Sequence, residues 1–334
     1  MTFSRPRFTR VRSLLGMLML LLAACGTGDG DGDAPATPTI GATGMPTPDG
    51  SAQPPERWVG IDDRGRLVTV RTADGEVEQV LGRFDDPQDC PPPGEPAAGC
   101  RWVTNLALSP DGDHVYYETC CEPAPGTIYR VPAAGGESEL VAHGAFPAVD
   151  PDGSRLAAVE LQWITVHELR GGNGQPQRLE AADAPPVALH GMAWSPDGDR
   201  LAFTRFDRTD EPGHLQWIDV SAADGLGDAE TVGAPADGAS WTLPSFRSDG
   251  LLAVAEQELQ PPDEPSGPAT VLLVDPETGG TADSFDPGAA VLSLRFDTRG
   301  ELLIYVTSDG QVRWRDLAGE DTTLKSGGYL AAAW

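Results

Sequence analysis

Lysine is all but missing from this chain. Lys325 is the only one in 334 residues, and Lys and Arg together number 23 against 51 Asp and Glu. So acidic a surface repels phosphate backbones and anionic headgroups, which excludes a nucleic-acid reader and favours cations or basic partners. It serves solubility or life in brine just as well, so it names no partner by itself. Also missing is any apolar run of about 20 residues, the length a membrane-spanning helix needs. Histidine is sparse, and His114, His143, His167, His190 and His214 show no HExxH zinc-hydrolase spacing. There is no GxSxG elbow for a serine nucleophile, no glycine-rich loop leading into a helix for a nucleotide, and no CxxC for zinc or redox work.

What the N-terminus does contain is Arg5, Arg7, Arg10 and Arg12 ahead of an apolar stretch from Leu14 to Ala24, ending at Cys25. Too short to span, the stretch reads as an export signal over 1–24. Leu22-Ala23-Ala24-Cys25 resembles the lipobox of bacterial lipoproteins, which implies a lipidated Cys25 as membrane anchor on the extracytoplasmic side. Cleavage removes four Arg and no acid, leaving 19 basic and 51 acidic residues and a formal charge of −32. From there to about residue 56 the chain is Gly, Asp, Thr, Pro and Ala, too poor in large apolar groups to repay its ordering. Residues 25–56 therefore form a tether, with a flexible-chain span on the order of 30 Å.

Beyond the tether one turn recurs. It is clearest as Ser109-Pro110-Asp111-Gly112, Asp150-Pro151-Asp152-Gly153 and Ser195-Pro196-Asp197-Gly198, and looser as Asp62-Asp63-Arg64-Gly65, Arg247-Ser248-Asp249-Gly250 and Asp297-Thr298-Arg299-Gly300. The glycines fall roughly 40 to 50 residues apart, the period of propeller blades. Pro presets φ, Asp bonds nearby backbone N–H groups and Gly supplies positive φ, so making the turn uses all the motif's chemistry. Short alternating runs follow each turn and predict four strands per unit, A to D, as in Leu189–Trp194, Arg200–Phe206, Leu215–Val220 and Glu230–Val232. The first unit, from Trp58, has only B, C and D, and Tyr329–Trp334 has the look of the A strand ending Met192-Ala193-Trp194. The prediction is an all-β, six-bladed propeller over 57–334 whose C-terminal strand completes the first blade; closure removes sheet edges, so a monomer is expected.

These turns, with strand-C endings Ile218-Asp219-Val220, Val274-Asp275-Pro276 and Arg315-Asp316-Leu317, resemble the WD40-like repeats of TolB-type propellers over about residues 57–334. The family includes periplasmic protein-binding modules and peptidase propeller domains, so the resemblance implies the fold strongly and function weakly. With the lipobox, it implies an envelope module that binds a protein or peptide and performs no chemistry. The competing expectation is a calcium-dependent, lactonase-like propeller hydrolase with acidic and histidine groups converging at the pore.

In a propeller the B–C and D–A connections share one face, and here that face is expected to carry the irregular loops 84–101, 120–126, 207–214, 233–240 and 259–269. Recognition is placed there. The same face takes Cys90, Cys100, Cys120 and Cys121, an even number that predicts two disulfides in an oxidising compartment. Either Cys90–Cys100 with Cys120–Cys121 or bridges between the two loops fit the sequence, and the strain of a vicinal ring favours the latter. His143 and His190 each precede a glycine at the entrance to strand A, which puts them near the pore as candidate bases. Asp29-Gly30-Asp31-Gly32-Asp33 imitates a calcium loop, but Ala34 replaces the turn glycine and no Glu stands twelfth, so it reads as tether. No cofactor is expected beyond a calcium ion held by acidic loops such as 207–211 or 262–264.

Overall fold

The computed structural model describes residues 53–81, 102–120, 126–160, 163–170, 177–179, 188–206, 212–221, 228–236, 238–260 and 264–334. Cys25, Cys90, Cys100 and Cys121 lie outside the described residues, as do the signal and the tether up to residue 52. Cys120 is placed only as the last backbone position of a strand.

Twenty-four strands form six four-stranded antiparallel sheets, and among the described residues there is no helix. Blade 1 comprises β1 (Arg57–Asp62), β2 (Leu67–Arg71) and β3 (Val77–Val80), and blade 2 comprises β4 (Trp102–Leu108), β5 (His114–Cys120), β6 (Thr127–Pro132) and β7 (Glu139–His143). Blade 3 has β8 (Ala145–Val149), β9 (Arg155–Glu160), β10 (Trp163–Glu168) and β11 (Gln177–Leu179); blade 4 has β12 (Ala188–Trp194), β13 (Arg200–Phe206), β14 (His214–Asp219) and β15 (Glu230–Gly233). Blade 5 is β16 (Ser240–Phe246), β17 (Leu252–Gln260), β18 (Glu264–Val274) and β19 (Thr281–Phe285), and blade 6 is β20 (Val291–Phe296), β21 (Leu302–Thr307), β22 (Val312–Asp316) and β23 (Asp321–Lys325). The last strand, β24 (Tyr329–Ala333), pairs with β1 through Val59↔Ala333 and Ile61↔Ala331. The ring closes as the sequence predicts.

A four-stranded sheet cannot bury its two faces alone, so each blade stacks on its neighbours, and six apolar clusters fill the six seams. The closing seam sets Trp58, Val68, Tyr329, Ala332 and Trp334 of blade 1 against Leu302, Ile304, Val306 and Val312 of blade 6.

Two expectations need correction. The turn Asp62-Asp63-Arg64-Gly65 joins β1 to β2, so it is a B–C hairpin and not a sixth A–B turn. Its Gly65 N–H donates to Asp62 O at 2.9 Å, the same bond that Gly310 makes to Thr307 O in the B–C hairpin of blade 6. Asp and Gly close a tight hairpin wherever one is needed, and turn chemistry does not say which strands it joins. Blade 1 has no A–B turn because its A strand comes from the other end of the chain. The second correction concerns 259–269: β17 and β18 run on beyond the blade as a two-stranded arm, with Glu258↔Ser266 and Gln260↔Glu264 in register. Pro265 and Pro268 make this stretch read as loop, yet among the described residues the arm's outer side carries no further strand, and proline is tolerated on such an edge.

Candidate functional site

The six A strands, β4, β8, β12, β16, β20 and β24, surround the axis and line cavities at both of its ends. At the A–B turn end lies a cavity of about 230 Å³, rimmed by Pro110, Pro151, Pro196, Ser248 and Thr298 and, where blade 1 lacks a turn, by Trp334. Each standard turn is braced as its residue types dictate: Ser109 and Ser195 Oγ donate to Asp111 and Asp197 at 2.5 Å and accept the His114 and Arg200 N–H at 2.9 Å. In the turns beginning with Asp150 and Asp297 that first carboxylate does the same work, accepting the Arg155 N–H at 2.9 Å and the Leu302 N–H at 3.0 Å.

Two positions before the turns, the A strands place Ala107, Ala148, Ala193, Ser245 and Arg295 around the cavity, with Ala333 at the matching place in β24. Five are small and the sixth is an arginine. Its neighbours in β20 explain the direction: Leu294, 3 % exposed, enters the seam between blades 5 and 6, so alternation turns Arg295 to the lumen. Arg295 is half-buried and borders the cavities at both ends. Loss of water around the guanidinium pushes its pKa down to about 10. Among the described residues nothing pairs with it, whereas the nearby Arg247 and Arg299 reach Asp249 at 2.6 Å and Asp297 at 3.1 Å.

The other end is built from β-bulges. Every A strand carries one extra residue against its B strand at the same height, beside Val103, Ala145, His190, Thr242 and Val291 and, in β24, at Leu330. Thr104, Phe146, Gly191, Leu243, Leu292 and Leu330 line a cavity of about 50 Å³ there. Phe146, Gly191 and Leu243 take φ of 53°, 55° and 56°, so the bulge imposes left-handed backbone even on bulky residues. Beside this ring Glu118, 4 % exposed, accepts from Asn105 Nδ2 at 2.7 Å and from the Phe146 N–H of the next blade at 3.1 Å. Burial raises its pKa, opposed by those hydrogen bonds. Gln257 makes a comparable brace from blade 5 to blade 6, donating to Val291 O at 3.1 Å and accepting the Val291 N–H at 3.0 Å.

Of the expected site residues, His143 ends β7 on the surface and lines neither cavity. His190 is placed as strand backbone only. Loops 84–101, 121–125 and 207–211 lie outside the described residues; the segment after Gly233 is fixed by Glu256, which accepts from the Ala236 N–H at 3.1 Å and Trp241 Nε1 at 2.8 Å. No group of three or more His, Cys, Asp or Glu is arranged to hold a metal among the described residues. Sequence reasoning missed Arg295, although setting the six A strands on their turns singles it out among alanines and a serine.

The comparisons agree with this geometry. A crystal structure of TolB from Acinetobacter baumannii superposes with a TM-score of 0.58 at 18% identity, covering 83% of this chain and 65% of that one. The fold is that of a TolB-type propeller. A second structure assigned to TolB, from Agrobacterium tumefaciens, matches with a TM-score of 0.52 at 17% identity over 69% of this chain and 77% of that one. A chain of a mitotic checkpoint complex matches with a TM-score of 0.51 at 15% identity, covering 83% of this chain and 78% of its own length. This chain thus spans just under two thirds of the Acinetobacter protein. No family model and no curated protein sequence matches it. At such identities the likeness establishes the TolB-type fold and not the activity.

Proposed function

We propose that this TolB-like propeller is an extracytoplasmic binding module of the cell envelope, held to the membrane through lipidated Cys25 and engaging a protein or peptide. The observation that carries the reading is the mouth itself: six stacked blades hold open a preformed cavity of about 230 Å³ on the turn face. A concave surface held by a closed ring needs no ordering when a partner docks, and that saved cost favours affinity. The fold shared with TolB and with a chain of a multiprotein checkpoint complex supports a protein partner. A tether over 25–56 lets the ring reach such a partner away from the bilayer.

In-cell crosslinking read by mass spectrometry tests this, with a reagent for Asp and Glu because Lys325 is the only lysine. The expected result is one envelope protein joined repeatedly to one face of the ring. Crosslinks scattered over both faces, or none, reject the module. The turn mouth and the loop face are told apart by whether the peptides carry residues such as Asp249 and Glu301 or those of 84–101 and 207–214.

A further inference from the structure

We propose that the channel holds a carboxylate on Arg295, delivered by the C-terminus or an acidic side chain of a bound peptide or by a small organic acid. The peptide form rests on the binding-module reading above; the small-acid form does not.

In a chain with 51 acidic residues, the half-buried Arg66, Arg155, Arg313 and Arg315 all reach a carboxylate. Arg295 reaches none among the described residues, though it stands where solvent is scarce. The two side-chain carboxylates lining the same cavity are already engaged. Asp150 is held by Arg155 Nε at 2.8 Å and by Ser154, while Asp297 accepts the Glu301 N–H at 2.7 Å and binds Arg299. A desolvated, unpaired cation is costly, and a methionine or leucine would fill the same lumen without that cost.

The surroundings are those of a seat. Ala107, Ala148, Ala193, Ser245 and Ala333 leave the space around the guanidinium open, and the planar fork matches a carboxylate with two parallel hydrogen bonds. At the rim, Arg247 and Arg299 are ion-paired with Asp249 and Asp297, which leaves Arg295 as the unpaired cation of this cavity among the described residues.

The test compares the full-length protein with Arg295→Met, which keeps the bulk and removes the charge. Thermal unfolding is followed with citrate and with a short peptide bearing either a free or an amidated C-terminus, at ionic strength fixed with NaCl. Seating predicts a saturable rise in Tm of about 3 °C at ten times Kd in the wild type, absent from Arg295→Met. A response to citrate marks a small-acid site; one to the free but not the amidated peptide marks peptide capture. An equal response of wild type and Arg295→Met, or none to any probe, overturns the proposal and leaves Arg295 as filling. That failure stays distinct from failure of the binding module, because crosslinking detects a partner on either face without any carboxylate.

Discussion

The two ends of the channel are made by the same six strands, yet they are specified differently. At the turn end five blades repeat a local turn, and in blades 2 and 4 its Ser and Asp satisfy one another and the backbone within five residues. At the bulge end no motif repeats: Thr104, Phe146 and Gly191 stand at the same structural height as three leucines, Leu243, Leu292 and Leu330, with no turn signature around them. The first end is written in the chain, and the second is imposed by the ring. Closing six twisted sheets around an axis requires each inner strand to bend, and one extra residue per strand supplies the bend.

The largest test addresses the strand that belongs to both ends. Ala332 of β24 is fully buried in the seam between blades 1 and 6, so Ala332→Asp is expected to cost about 4 kcal/mol or more, measured by urea unfolding. A loss below about 1 kcal/mol would mean the ring holds without its closing strand. Next comes the turn mouth, where the blades support one another unevenly. A Cβ on Gly300, at φ 68°, would collide with the backbone of Ser248 in the neighbouring turn, so Gly300→Ala is expected to cost about 3 kcal/mol. Gly112 has nearly the same φ, 73°, but nothing stands within 4 Å because blade 1 offers no A–B turn beside it. Gly112→Ala therefore carries only the backbone penalty, about 1 kcal/mol. Equal losses would show that the turns do not touch.

The smallest effect sharpens the bulge end. Burial holds the Glu118 carboxyl above its ordinary range, so the native state keeps its proton where the unfolded chain has lost it. Its contribution to stability is then greatest at low pH, falls as pH rises from the ordinary value to the raised one, and stays reduced above. Glu118→Gln puts at this position the amide that Gln257 already supplies in blade 5. Relative to wild type, the variant should gain stability as pH rises above the ordinary carboxylate range, read by urea unfolding at each pH. A pH-independent difference would place the proton elsewhere.

The face on which recognition is expected from loop length and the face on which the 230 Å³ cavity opens are opposite ones. Loops advertise themselves by composition, so 84–101 and 207–214 stand out in the sequence. The turn mouth hides behind a motif whose every residue has a structural duty, and Arg295 within β20 looks like one more polar position of a strand. The register, which points Leu294 into the seam and Arg295 at the axis, separates them, and the one sequence signal for it is the alignment of the A strands on their turns.

By itself the sequence determined the blade count, the strand order and the completion of blade 1 by Tyr329–Trp334, because these follow from local turn chemistry and two-residue alternation repeated along the chain. Tertiary structure alone decided that Asp62–Gly65 closes a B–C hairpin, that β17 and β18 extend as a paired arm, that each inner strand bulges, and that one arginine in the lumen has no partner among the described residues. Pairing partners, curvature and desolvation are properties of segments far apart in sequence. No local pattern encodes them until the ring has closed.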